Sequence, residues 1–112
     1  MRLAGKTAVV TGAGSGFGAG IARRFAEEGA RVMVADINLA GAESVAREVE
    51  GVAQKVDVAQ DASVEAMIRA AREAFGRIDI LVNNAGVTHL PAAMEDVTES
   101  EFDRVLAVNA KS

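Results

Sequence analysis

TGAGSGFG, residues Thr11 to Gly18, places four glycines within eight residues, directly after the apolar run Ala8, Val9 and Val10. The segment from Lys6 to Thr11 is β-branched and apolar and reads as a strand. Past the glycines, Phe17, Ile21, Ala22, Phe25 and Ala26 recur at helical spacing. The order is therefore strand, turn, helix, and the glycines mark a backbone that something approaches closely. In a doubly wound sheet the turn after the first strand meets a dinucleotide pyrophosphate, and the following helix aims its positive, amide-rich end at that anion. The spacing departs from G-x-G-x-x-G: counted from Gly12 the last position is Phe17, and counted from Gly14 it is Ala19. A turn serving only tight strand-to-helix packing is the alternative.

The pattern repeats along the chain. Gly29 stops the first helix, and Arg31 to Ala35 form a second apolar strand that delivers Asp36 at its carboxyl end. A second helix carries Leu39, Val45, Ala46 and Val49 inward, with its first turn weakened by Gly41. Gly51 and a strand from Val52 to Val58 follow. A third helix presents Val64, Met67, Ile68, Ala71 and Phe75 on one face, ends at Gly76, and leads to the strand Ile78 to Val82. Strands alternating with helices of this length predict four parallel strands joined by right-handed crossovers, with helices on both faces: a doubly wound α/β domain. Beyond Pro91, Thr98 and Glu101 form a capping box that opens a further helix bearing Phe102, Val105 and Leu106, with no stop signal before Ser112. The expectation is a domain truncated inside that helix.

Asp36 stands eighteen positions after Gly18 at the end of the second strand, where a carboxylate accepts hydrogen bonds from both adenosine ribose hydroxyls. Its alternative role is a helix-capping turn residue. A ribose 2′-phosphate at ~4 Å from this carboxylate costs roughly 4 kcal/mol at an effective dielectric near 20. NAD is expected to be preferred over NADP.

Composition narrows the remaining classes. Half of the 112 residues are hydrophobic and a quarter charged, as in folded soluble domains. Twelve basic against sixteen acidic residues give a net charge of −4 with no basic block, which argues against nucleic acid and anionic membranes as partners. There is no cysteine, and one histidine, His89, cannot build a zinc site alone. MRLAGKTAVV lacks the apolar stretch of a signal peptide, so a cytoplasmic protein is expected.

Thr11, Gly12, Gly16 and Gly18 in T-G-x-x-x-G-x-G, then Asp57-Val58, then Asn83-Asn84-Ala85-Gly86 together resemble the short-chain dehydrogenase/reductase family. The likeness runs through essentially the whole chain and corresponds to about the first half of a family member, most like the bacterial 3-oxoacyl-[acyl-carrier-protein] reductases. It implies a Rossmann-type sheet, with residues 1–112 as the N-terminal part of a single dinucleotide-binding domain. It also implies that Gly12, Ser15, Gly16, Phe17 and Gly18 cradle the cofactor, with Asp36 and Ile37 on the adenosine. Asp57 and Val58 would meet the adenine, and Asn84, Ala85 and Gly86 would line the cleft. Read from the residues alone, the NNAG segment is either a ligand edge at the end of the fourth strand or a buried turn with side-chain hydrogen bonds.

The resemblance further implies that Asn109 belongs to a catalytic tetrad, holding a water that links the active-site lysine to the proton relay. From spacing alone, Asn109 falls along the apolar stripe of the last helix or on its exposed flank. The other three members would be a serine, a tyrosine and a lysine four residues beyond it. This chain has no tyrosine, and its lysines are Lys6, Lys55 and Lys111. The expected function is the cofactor-binding half of an NAD(P)-dependent oxidoreductase moving a hydride to or from an alcohol or ketone carbon, with the chain inactive alone. A non-catalytic NAD- or partner-binding module and an inactive remnant are the alternatives. Family members are commonly tetramers, so a homo-oligomer is expected. The bare edge of the fourth strand is expected to be prone to association.

Overall fold

The computed structural model describes residues 2–84 and the backbone of 106–109. Among the described residues, five strands and three helices follow one another as β1 (Thr7–Thr11), α1 (Gly16–Glu27), β2 (Arg31–Asp36), α2 (Leu39–Val49), β3 (Val52–Lys55), α3 (Asp61–Phe75), β4 (Ile80–Asn83) and β5 (Leu106–Asn109). All pairings are parallel, in the order β3-β2-β1-β4-β5. This is the Rossmann-type, doubly wound arrangement that the alternation of strands and helices predicts.

The period of two along the strands divides the core. Val9, Met33 and Leu81 are in register across β1, β2 and β4, and their side chains join Val64, Met67, Ile68 and Ala71 of α3 on one face. Their neighbours Val10, Val34 and Val82 point the other way, onto Ala19 and Ala22 of α1 and Ala42, Val45 and Ala46 of α2. A strand buried on both faces is apolar along its middle, which is why Ala8 to Val10 and Val32 to Ala35 read as continuous runs rather than alternations, and the hydroxyls of the buried Thr7 and Thr11 at the ends of β1 are hydrogen-bonded.

Four expectations are corrected. Leu39, expected to face inward on α2, is exposed, while Val45 and Ala46 are buried and Val49 packs against the core. On α1, Ala22 is buried and Ile21, Phe25 and Ala26 pack half-buried against the core as their spacing suggests, but Phe17 is exposed and Gly18 and Ala19 are the buried residues of the first turn. Small residues win because this helix lies close against the glycine turn. The strand expected to reach Val58 ends at Lys55, and Val56 and Val58 are buried as parts of the loop that follows. Leu106 to Asn109, expected on a helix, form a strand that pairs with β4 in the register Ile80↔Leu106 to Asn83↔Asn109. An apolar run of this length carries no decisive period, and the row of unpaired backbone groups along β4 offers it a ladder. The sheet therefore has five strands, and β4 is not an edge. Thr98 and Glu101 lie outside the described residues.

At the amino edge of the sheet, Asp79 is almost fully buried. It accepts from the Thr7 backbone N–H at 2.9 Å and from Arg77 Nε at 3.0 Å, and it also pairs with Arg77 Nη2. Burial pushes its carboxyl up, but the Arg77 hydrogen bond, the Thr7 N–H and the charges of Arg77 and Lys6 together outweigh that and hold it below its ordinary value.

Candidate functional site

The carboxyl ends of the strands deliver Thr11, Asp36, Asn83 and the backbone of Asn109 to one edge of the sheet. Connections leave β1 toward β2 on one side and arrive at β4 on the other, so β1 marks the switch point where such sheets open a crevice. The glycine turn sits there. Gly12 and Gly16 have φ of 63° and 60°, a left-handed conformation that L side chains rarely adopt. Ser15 caps α1 by position only, making no side-chain bond, and no acidic residue stands in the first turn. Among the described residues no side chain caps the leading amides of α1, and a Cβ at Gly16 would meet nothing within 4 Å.

Gly18 is different, because a Cβ there would run into the Gly12 carbonyl oxygen and stand 2.6 Å from Asn84 Nδ2. Asn84 explains the crowding. Its Nδ2 donates to the Gly12 carbonyl at 3.1 Å and its backbone N–H donates to Thr11 Oγ1 at 3.2 Å, so the end of β4 is laced to the glycine turn. Thr11 Oγ1 also lies 3.3 Å from the Val82 carbonyl and 3.2 Å from Asn83 Oδ1. Asn84 Oδ1 is buried without a hydrogen-bond partner among the described residues. Such an orphan acceptor costs about 1–3 kcal/mol and marks a place where a donor is wanted.

Asp36 is half-buried, with Oδ2 accepting from the Gly14 N–H at 2.9 Å and Oδ1 from the Asn38 N–H at 2.9 Å. Asp36 thus closes a turn ahead of α2 without being its cap, and among the described residues two of the roughly four acceptor sites of its carboxylate make no bond. Exposed Ile37 follows it. Asp57, at the next loop, accepts from the Ala59 N–H at 3.0 Å, while its own N–H donates to Ser63 Oγ at 2.9 Å; Val58 is buried. Ala85, Gly86 and His89 lie outside the described residues. Asn109 ends β5 beside Asn83, on the same edge rather than on a helix.

The structure thus places Gly12, Ser15, Gly16, Gly18, Asp36 and Asn84 at the carboxyl edge of the sheet, with Gly12, Gly18 and Asn84 in mutual contact and Asp36 bonded to the Gly14 N–H, while Phe17 is exposed beside Gly20, Ile21 and Phe25 on the outer side of α1. It adds Gly14, Asn38 and Gly41, which the sequence reading left out. Asn38 is the N-cap of α2, its Oδ1 accepting from the Gly41 N–H at 3.2 Å. An Asn just before a helical stretch was the available signal. Among the described residues no cluster of His, Cys, Asp or Glu could hold a metal ion, and no helix is long and apolar enough to cross a membrane.

The chain is 43% identical to galactitol 2-dehydrogenase from Agrobacterium fabrum, over 99% of its own length and 44% of the relative's. It is 39% identical to the 3-oxoacyl-[acyl-carrier-protein] reductase of Thermotoga maritima, over 99% and 47%. Among solved structures, the 3-ketoacyl-(acyl-carrier-protein) reductase from Brucella melitensis complexed with NADH superimposes with a TM-score of 0.73 at 52% identity, covering 76% of this chain and 36% of that one. The chain spans less than half the length of the curated relatives it matches. The family model for short chain dehydrogenase matches residues 6–112, and the chain belongs to that family of oxidoreductases.

Proposed function

We propose that residues 1–112 are the N-terminal, cofactor-binding part of a dinucleotide-binding domain in an NAD-dependent short-chain oxidoreductase. The observation that supports this reading is the order of the sheet, which sets the glycine turn, the start of α1 and the Asp36 carboxylate at the carboxyl edge beside the switch point, with Asp36 bonded to the Gly14 N–H. The residues suit the cofactor chemically: Gly12, Ser15, Gly16, Phe17 and Gly18 would hold the pyrophosphate, and Asp36 and Ile37 the adenosine. Asp57 and Val58 would take the adenine, and Asn84, Ala85 and Gly86 the inner wall. Bound there, the nicotinamide would supply the hydride acceptor or donor.

Asn109 is assigned the catalytic asparagine's role, at the end of the strand beside β4. The substrate class is an alcohol or ketone, including 3-oxoacyl thioesters, and the whole enzyme is a homo-oligomer. With no tyrosine to act as acid or base, the 112 residues alone bind cofactor without turnover.

Because the chain contains no tryptophan, NADH emission can be read without indole background. Wild-type chain should bind NADH saturably and NADPH more weakly. Asp36→Ala should reduce the NADH-to-NADPH affinity ratio at least about 30-fold through the lost charge-assisted hydrogen bonds, and up to about a thousandfold as the roughly 4 kcal/mol repulsion of a 2′-phosphate is relieved. An unchanged ratio would remove the basis for NAD preference.

A further inference from the structure

Gly41 lowers the helix propensity of α2 and looks, from the sequence, like a defect. In the fold it faces the glycine turn: a Cβ there would stand 3.0 Å from the Gly14 carbonyl oxygen and 3.3 Å from Asn38 Nδ2. The contact is reciprocal, since a Cβ at Gly14 would stand 3.0 Å from Asp36 Cγ and Oδ2 and 3.1 Å from the Ala42 backbone nitrogen. Two backbones are therefore pressed together, the cofactor turn at Gly14 and the first turn of α2 at Gly41 and Ala42, with the Asp36 carboxylate between them. One oxygen of that carboxylate is held by the turn through the Gly14 N–H, the other by the helix entry through the Asn38 N–H. Asn38 ties the same entry to Gly41 through its side chain.

We propose that Gly41 and Asn38 are positioning residues for adenosine-ribose recognition. The missing side chain at Gly41 lets α2 brace the cofactor turn, and this bracing fixes the orientation of Asp36 that discriminates NAD from NADP. The inference rests on the dinucleotide-binding reading above and adds to it two residues that need not touch the cofactor. Its physical basis is that hydrogen bonds from two separate backbone segments orient the carboxylate only while those segments keep their spacing, and a methyl group at Gly41 drives them apart.

A substitution that improves the helix is thus expected to impair the site. Gly41→Ala should move the unfolding temperature little, the helix propensity that alanine adds being offset by its tight contact with the Gly14 carbonyl oxygen. It should lower the NADH-to-NADPH affinity ratio about fivefold, within the coupling range of contacting residues. In an Asp36→Ala background the same change should leave the ratio alone. Asn38→Ala should also lower the ratio, and Asn38→Ser, which retains a capping oxygen, should restore it. These Asn38 variants decide the matter if Gly41→Ala does not fold. The positioning role is overturned if Gly41→Ala and Asn38→Ala keep the wild-type ratio, or if Gly41→Ala weakens both cofactors equally. If wild-type chain binds neither cofactor, the dinucleotide-binding reading itself fails, and this inference with it.

Discussion

Gly18→Ala is expected to cost this domain about 3 kcal/mol, combining overpacking against a rigid backbone with loss of one hydrogen bond. The new methyl group would collide with the Gly12 carbonyl oxygen and displace Asn84 Nδ2 from its bond to that same oxygen. Neither neighbour can retreat freely. Gly12 is set in a left-handed turn, and Asn84 is tied by its own N–H to Thr11. Thermal unfolding should show a fall on the order of 10 °C, and NADH binding should weaken with it. Gly20→Ala, two residues along the same helix, is the matched comparison: nothing lies within 4 Å of a Cβ at that exposed position. It should stabilise the protein by up to about 1 kcal/mol through helix propensity. Equal losses from both variants would mean that the α1 glycines act through the backbone alone and not through close approach.

Asp79→Ala carries the second large effect, expected at about 3 kcal/mol, because it strips the buried Thr7 N–H and the Arg77 guanidinium of their shared acceptor. The milder Asp79→Asn should reveal the charge. Since the folded carboxyl sits below its ordinary value, the unfolded chain binds the proton more readily. Its ionised form therefore contributes stability that is complete above the unfolded pKa of about 4 and drains away as pH falls through the lower folded value. Urea unfolding at a series of pH values should show Asp79→Asn less stable than wild type at pH 7. The two curves should converge below about pH 4. Parallel curves would contradict the assignment of a lowered pKa to this residue.

The two halves of the crevice were unequally legible in the sequence. Elements with whole turns of consistent pattern could be read directly. Val64, Met67, Ile68 and Ala71 are all buried on α3, Gly76 closes that helix with φ of 84°, and Asp36 arrives at the end of β2 as expected. Turn position also identified Gly12, Gly16 and Gly18. What escaped was information held between elements. The pressing of Gly41 on Gly14 has no local signature, and a glycine near a helix start reads only as low propensity. The Asp79 pair joins residues 72 positions apart, so a lone aspartate in an apolar run gave no hint of its partners. Leu106 to Asn109 failed for the opposite reason: their spacing suits a helix and their composition suits a strand, and only the free edge of β4 distinguishes the two.

The most direct test of the central claim is an amide NMR titration of the nitrogen-15-labelled chain with NADH. Saturable shifts of the Gly14, Gly16, Phe17, Asp36, Ile37 and Asn84 amides are expected, with Thr7, Arg77 and Asp79 at the opposite edge unmoved. A folded spectrum in which the glycine turn and Asp36 stay still at saturating NADH, or in which shifts gather at the amino edge, would contradict that claim.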